Sequence, residues 1–458
     1  MSETDTIVAV ATPPGVGAIG IIRLSGPDSL PVARRLFQPS NPRIEWTSHR
    51  MLHGRVFSGA GDFLDEVLLC WMQGPHSFSG EDAVEIYCHG GPVILRSVLS
   101  EAVHAGARPA EPGEFTKRAF LNGRMDLAQA EAVADMIAAR TEAARKVAAS
   151  QLKGELSRRI ESLRNGLMDV LVHLEVEIDF SDEDLAPVPP ESLAERVMSL
   201  RDGIGDLLDT WNEGRLYRSG ASVVIAGRSN VGKSSLLNRL LGMERAIVTP
   251  TPGTTRDFIE EWISLEGIPV KLADTAGIRD TEDPAEREGI RRVWERISAA
   301  DRVIVLLDGS EALTAEDRRI TGEVGSRKGF PVINKADLTP VIDTEEVRAL
   351  FDGQAPLWIS AKRGDGIPEL MKSLHRFLLQ GGGAVSLEGL LSNARHKAAL
   401  EGAQYFLSQA VSGLAAGCSP EVAACDIQDA LDRMGDIVGK TTAEQVLERI
   451  FSTFCIGK

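Results

Sequence analysis

Between residues 221 and 380 the apolar positions alternate between short continuous runs and helical spacing. Val223-Val224-Ile225-Ala226 suits a strand buried on both faces, whereas Leu236-Leu237-Asn238-Arg239-Leu240-Leu241 sets its leucines a helical turn apart. Residues 271–277 end a further strand, 302–308 form another buried one, and Pro356-Leu357-Trp358-Ile359 leads out of a third. Strands alternating with helices predict an α/β domain whose doubly wound parallel sheet carries its ligand at the strand ends. Residues 1–120 read differently. Runs such as Ile19-Gly20-Ile21-Ile22-Arg23-Leu24 and Ala83-Val84-Glu85-Ile86-Tyr87 accompany a helical pattern over 92–105, which predicts a small α+β domain. Residues 121–216 are rich in Ala, Leu and Glu, with 127–136 reading as a long amphipathic helix, and helical spacing returns over 390–451.

The predicted organisation is therefore an α+β domain (1–120) and an all-helical domain in two pieces (121–216 and 381–458) interrupted by an inserted α/β domain (217–380). Gly381-Gly382-Gly383 marks one hinge and Ser219-Gly220 the other. Insertion at two neighbouring hinges would let a ligand state swing the inserted domain.

Candidate chemistry concentrates in the insert. Gly227-Arg228-Ser229-Asn230-Val231-Gly232-Lys233-Ser234-Ser235 fits the phosphate-binding loop G-x-x-x-x-G-K-[ST]. Its backbone N–H groups can curl round phosphates, Lys233 can neutralise them, and the Ser234 hydroxyl can face Mg²⁺. The loop lies between a strand and a helix, where the helix dipole favours an anion. Asn334-Lys335-Ala336-Asp337 can read the base, because the Asp337 carboxylate can accept two hydrogen bonds from guanine that adenine cannot supply. Ser360-Ala361-Lys362 stands where a loop backs the guanine ring, and Asp274-Thr275-Ala276-Gly277 supplies an Asp for Mg²⁺ and a Gly N–H for the γ-phosphate.

The water-positioning Gln of many small GTPases is replaced by Ile278. Asp280, Glu282, Asp283, Glu286 and Glu288 follow, each readable alone as a solvated charge ahead of a helix over 289–299. The stretch 247–257, rich in Thr, Pro and Gly, occupies the interval of a switch loop, with Thr254 and Thr255 as candidates for the second Mg²⁺ hydroxyl. With Asn230 it could also enclose a monovalent cation where an arginine finger otherwise sits; on composition alone it is a turn.

Asn230 in the phosphate loop, Gly253-Thr254-Thr255-Arg256-Asp257, Asp274-Thr275-Ala276-Gly277 followed by an aliphatic residue, and the terminal Phe454-Cys455-Ile456-Gly457-Lys458 resemble the tRNA modification GTPase family MnmE (TrmE). The resemblance runs end to end. It includes Asp5-Thr6-Ile7-Val8-Ala9, Ser79-Gly80-Glu81-Asp82, His89-Gly90-Gly91-Pro92 and Pro112-Gly113-Glu114-Phe115. It implies a potassium site from Asn230, Thr249, Thr251 and Thr254, Mg²⁺ held by Ser234 and Thr255, and Glu286 as the residue that positions water once two G domains meet, with K⁺ replacing an arginine finger. Nucleotide contacts would come from Asn230 to Ser235, Thr249, Thr254, Thr255, Asp274 to Gly277, Asn334, Lys335, Asp337 and Ser360 to Lys362. Arg256 matches the family without an assignable role. The resemblance further implies that residues 1–120 bind 5-formyltetrahydrofolate or a related reduced folate and form a homodimer. Arg23, Glu85, Arg124 and Lys458 match the folate contacts, Arg124 standing where the family carries Lys. Read singly, each of these is an ordinary surface charge. The implied output is an aminomethyl or carboxymethylaminomethyl group on carbon 5 of the tRNA wobble uridine, made with an FAD-dependent partner in a heterotetramer or larger complex.

Composition and charge refine this picture. No apolar run approaches a membrane span and the N-terminus lacks signal-peptide character, so a cytoplasmic protein without a membrane is expected. The five cysteines show no metal spacing and read as free thiols; four are expected to be packing residues. Cys455, three residues from the end, is a candidate redox or nucleophilic group, and its tail does not make a prenylation box. A net charge of −16 leaves no strongly basic face, so tRNA is expected to be held mainly by the partner. Two rivals remain open: a ribosome-assembly or checkpoint GTPase, and a folate enzyme with a merely regulatory G domain.

Overall fold

The computed structural model describes residues 5–179, 189–243, 261–274, 291, 294–326, 328–379 and 386–458. The chain divides into two compact units, one of residues 1–134 with 428–458 and one of residues 135–427.

The first unit is built on a seven-stranded sheet: β1 (Ile7–Val10), β2 (Ile19–Ser25), β3 (Phe37–Pro39), β4 (Arg50–Phe57), β5 (Phe63–Met72), β6 (Ala83–His89) and β7 (Arg108–Pro109). Their spatial order is β3-β4-β5-β6-β2-β1-β7. All pairings are antiparallel except β1 with β7. Alternation along β2 and β6 sends Ile22, Leu24, Val84 and Ile86 into a core shared with Val32 and Leu36 of helix Ser29–Leu36 and with Leu95, Val98 and Ala102 of helix Pro92–His104. The opposite periodicity leaves Arg23 and Glu85 paired in register on the other face. The C-terminal helix Glu444–Phe451 packs on helix Glu114–Leu121, with the Phe451 ring in tilted contact with those of Phe120 and Phe454. The chain's end thus folds with its beginning.

In the second unit the sheet is β8 (Ala221–Ala226), β9 (Glu261–Leu265), β10 (Ile268–Asp274), β11 (Arg302–Asp308), β12 (Gly329–Asn334) and β13 (Leu357–Trp358). Its order is β13-β12-β11-β8-β10-β9. Every pairing is parallel except that of β9 with β10, an antiparallel edge not foreseen from the sequence. The hairpin has a two-residue turn, Glu266-Gly267, and its strand β9 alternates instead of running apolar, as an edge exposed on one face should. β8 and β11 are buried on both faces. Val223, Ile225, Ile304 and Leu306 point into one core, and Val224, Ala226, Val303, Val305 and Leu307 into the other.

Helices from both sides of this sheet in sequence meet one another. Helix Ala394–Ala415 packs along helix Pro190–Asp209. Gln151 Nε2 donates to Leu390 O (3.0 Å) and Ser392 Oγ (2.8 Å), and Leu391 N donates to Thr210 Oγ1 (3.0 Å). The molecule therefore combines an α+β N-terminal part, a discontinuous helical part and an inserted Ras-like α/β part. The helix expected over 127–136 runs Leu127–Ala138, two residues beyond that span, and most of its first two turns are buried because alanines let neighbours approach on several sides. The Gly381-Gly382-Gly383 hinge lies outside the described residues. At Ser219-Gly220 helix Trp211–Ser219 passes into β8 across a single residue.

Candidate functional site

Asp274, Asp308 and Asn334 close β10, β11 and β12, and Ala226 closes β8 one residue before the phosphate loop. Register pairs Asp274 with Ile225 and Asp308 with Asn334, so the motifs that the sequence separates by up to a hundred residues share one sheet edge. In the loop, Gly232 has φ 103°, and a Cβ there would collide with the Asn334 carboxamide. Lys233 opens helix Lys233–Met243, is buried, and donates through Nζ to Gly227 O and Arg228 O, both at 2.9 Å. Ser234 and Ser235 stand exposed in the first helical turn, where free N–H groups and the helix dipole favour phosphate. Val231 is fully buried beneath the loop, and Asn230 projects from it with φ 66°.

The base-reading side is tied to this loop by Asn334, whose Nδ2 donates to Val231 O (2.7 Å) while its Oδ1 accepts from Ala361 N (2.9 Å). Ser360, fully buried, donates to Asp337 Oδ1 at 2.7 Å. That bond holds the Asp337 carboxyl below the usual carboxylate range. Lys362 lies at the exposed end of the Ser360-Ala361-Lys362 turn. Arg239, which sequence reasoning missed, fixes this turn from helix Lys233–Met243 by donating to Ala361 O (3.3 Å) and Lys362 O (2.6 Å).

The residue set suits a Mg²⁺-bound phosphate chain: Ser234 stands in the first turn of the helix that follows β8, and β8 is paired with β10 up to Asp274. The side chain of Asp274, and Thr249, Thr251, Thr254, Thr255, Arg256, Thr275, Ala276, Gly277, Ile278 and Glu286, lie outside the described residues, so of the potassium set only Asn230 is placed.

The N-terminal unit carries a second cluster. Arg23 Nε and Nη2 each lie 2.8 Å from Glu85 Oε1, and Tyr87 donates to Glu85 Oε2 at 2.6 Å. This bond and burial push the Tyr87 phenol up to about 12. Arg23 Nη1 donates to Gly457 O at 3.3 Å, and its guanidinium is 5.8 Å from the ring centres of both Phe78 and Phe115. Lys458 is half-buried here; burial, then repulsion from Arg23, draws its ammonium below the ordinary lysine value. The cluster thus brings one carboxylate, two cations and two aromatic rings together at the chain's end. Arg124 is exposed, with its side chain beside Gly80. Tyr87 and the Gly457 carbonyl were not foreseen from sequence. Cys455 is exposed, and its carbonyl accepts from Gly113 N (3.4 Å) and Lys458 N (3.3 Å).

Of the other cysteines, Cys88 is buried, which pushes its thiol up to about 12, and Cys70 is half-buried. Cys418 and Cys425 are exposed rather than packed, because they flank and enter helix Pro420–Val438 away from its apolar stripe. Among the described residues no helix is long and apolar enough to cross a membrane, and no cluster of three His, Cys, Asp or Glu residues could hold a metal.

A phosphate loop and an Asn-Lys-x-Asp loop joined at the strand ends of a Ras-like sheet define a P-loop GTPase. The description "GTP-binding protein TrmE N-terminus" matches residues 6–124, and "MnmE helical domain" matches residues 127–455. The tRNA modification GTPase MnmE of Syntrophus aciditrophicus is 50% identical over 455 residues, 99% of each chain. That of Heliobacterium modesticaldum is 45% identical over 463 residues, again 99% of each. The chain belongs to the MnmE family of tRNA modification GTPases. Among solved structures, Aquifex aeolicus Era bound to GDP·AlF4⁻ is 26% identical over 41% of this chain and 66% of its own, with a TM-score of 0.29.

Proposed function

We propose that this GTPase is a K⁺-activated enzyme whose turnover accompanies face-to-face pairing of two G domains. With an FAD-dependent partner and a reduced-folate one-carbon unit, it modifies carbon 5 of the tRNA wobble uridine. The observation that carries this reading is the presence in one chain of a guanine-nucleotide edge and a separate cluster of Arg23, Glu85 and Lys458. The first suits hydrolysis; the second suits a pterin, whose ring amide can pair with Glu85 and whose glutamyl carboxylate can meet Lys458 or Arg124.

In this reading Lys233, the loop N–H groups and Asn334 orient GTP, and Asp337 selects guanine. Ser234, Thr255 and Asp274 would hold Mg²⁺, which supplies charge neutralisation between the β- and γ-phosphates. Asn230, Thr249, Thr251 and Thr254 would hold K⁺, and Glu286 would orient water. We take the inserted domain as 217–380, the folate and homodimer domain as 1–120, and the helical domain as 121–216 with 381–458; the protein would act in the cytoplasm. The net charge of −16 favours tRNA bound chiefly by the partner.

Two measurements test the proposal. GTP turnover in KCl should exceed that in NaCl at equal ionic strength; equal rates would remove the potassium site. Mass analysis of wobble uridine from cells lacking the protein should show the unmodified base, and a fully modified base would sink the tRNA role.

A further inference from the structure

The carboxylate of Asp308, at the end of β11, is 3% exposed and reached from both halves of the nucleotide edge. Its Oδ1 accepts from Ser310 N (3.0 Å) and Ser310 Oγ (2.6 Å), which fixes the plane of the group. Its Oδ2 takes the ammonium of Lys335, the second residue of the Asn-Lys-x-Asp loop, and lies 3.8 Å from Nη2 of Arg228, the second residue of the phosphate loop. Arg228 has other anchors, pairing with Glu311 and approaching Asp317 Oδ2 at 3.4 Å. Lys335 differs. Among the described residues its carboxylate partner is Asp308 alone, and its own backbone sits at φ 66°, a conformation a non-glycine residue holds only when its surroundings fix it.

We propose that Asp308 is a positioning residue for guanine nucleotide: it clamps Lys335, and through Lys335 the turn that presents Asn334 and Asp337, against the phosphate loop. The inference rests on the nucleotide site described above. Two physical arguments favour a role in positioning over one in stability alone. A carboxylate locked by two Ser310 bonds presents its other oxygen in one direction, so it can orient a flexible lysine rather than merely neutralise it. The Lys335 side chain is 30% exposed and could be solvated without Asp308, so loss of the pair should disturb its direction more than the fold.

The test is release of a fluorescent GDP from the full-length chain, measured for the wild type, Asp308→Asn, Lys335→Met and the double variant, beside melting of each protein without nucleotide. Asp308→Asn keeps the shape and an acceptor for Ser310 but turns an amide donor toward Lys335. It should speed GDP release by about tenfold, and in the Lys335→Met background the same substitution should change release by less than about twofold, because coupled sites are not additive. Preference for guanine over hypoxanthine should be unchanged, since Asp337 keeps its Ser360 bond. An equal effect of Asp308→Asn in both backgrounds, or none, would overturn the proposal. So would a fall in melting temperature with no change in release. If wild-type chain failed to bind GDP at all, the nucleotide site itself would be wrong, a different failure. Should Asp308→Asn not fold, Lys335→Met alone reads the clamp, because it removes the ammonium that Asp308 holds; unchanged GDP release there would equally overturn the assignment.

Discussion

Asn334 spans the nucleotide edge: its carboxamide nitrogen reaches Val231 O at 2.7 Å and its oxygen receives Ala361 N at 2.9 Å. One buried side chain thereby sets the distance between the phosphate loop and the loop that backs the base. Asn334→Ala would strand both backbone groups, at about 3 kcal/mol in all, so GDP affinity should fall roughly 100-fold. Calorimetric titration with GDP checks this, and an affinity within a few fold of wild type would show that the two loops hold their spacing without Asn334.

Selectivity for guanine should lie with Asp337. Its carboxylate, oriented by Ser360, can accept from both N–H groups that guanine presents. In Asp337→Asn the amide would instead donate to the C2 carbonyl of xanthine, and the preference for GTP over XTP should fall by about 1000-fold. Because the Ser360 bond lowers the Asp337 carboxyl from its ordinary 3.8, the group stays ionised from neutrality down to below that value. Guanine selectivity in the wild type should therefore not vary between pH 5 and 8, taken here as about the ordinary assay range. Competition between GTP and XTP at about pH 7 measures the first outcome, and competition between GTP and ITP, whose bases keep their ring N–H across that range, measures the second.

Much of this edge was legible in the sequence because its residues act through backbone geometry. Gly232, Lys233 and Asn334 sit where a loop must bend, and loop spacing is written in residue order. The antiparallel β9 was not legible, since an alternating Glu-Trp-Ile-Ser-Leu segment carries no mark of which strand it will join. Tyr87, Arg239 and Asp308 escaped for a related reason: each owes its role to a partner brought near by folding, Glu85, Ala361 and Lys335 respectively. The docking of the tail on the first unit depends on aromatic contacts among Phe120, Phe451 and Phe454 that helical periodicity cannot assign to a surface.

Acid should loosen the N-terminal unit through one ion network. Arg118 joins Asp5 (2.5 Å), Glu114 (3.0 Å) and Glu81 (3.2 Å), while Arg108 joins Asp5 and Glu114. Burial tends to raise the Glu114 carboxyl, but hydrogen bonds from Arg108, the Glu111 N–H and Arg118 outweigh it and the net shift is downward from 4.5; Asp5 is likewise lowered from 3.8. Depressed folded-state values stabilise the protein above the unfolded values, and that stability is lost as pH falls through the depressed ones. Denaturant stability should thus be flat above about pH 5 and drop steeply below about pH 4. Glu114→Gln should make that drop shallower, whereas Arg118→Met, which removes a cation from Asp5, Glu81 and Glu114 while Arg108 still meets Asp5 and Glu114, should cost about 2 kcal/mol at pH 7. An acid profile identical in Glu114→Gln and wild type would take the network out of the account.

The C-terminal tail offers the sharpest separation of shape from charge. Gly457 has φ 93°, a Cβ on it would lie 2.5 Å from Val10 O, and its carbonyl accepts from Arg23. Gly457→Ala combines a disfavoured backbone conformation with that collision, about 1–3 kcal/mol against docking. The tail should lift, freeing Lys458 and the Arg23 bond together, and reduced-folate affinity should fall by about tenfold or more. Lys458→Ala keeps the backbone seated and removes only the ammonium, so a smaller loss is expected, and one that salt diminishes in the wild type by screening the same charge. Limited proteolysis reports whether the tail is released, and titration with 5-formyltetrahydrofolate reports the cluster. Release of the tail in Gly457→Ala with unchanged folate affinity would place the folate elsewhere and leave Arg23, Glu85 and Lys458 as a structural cluster that closes the N-terminal unit.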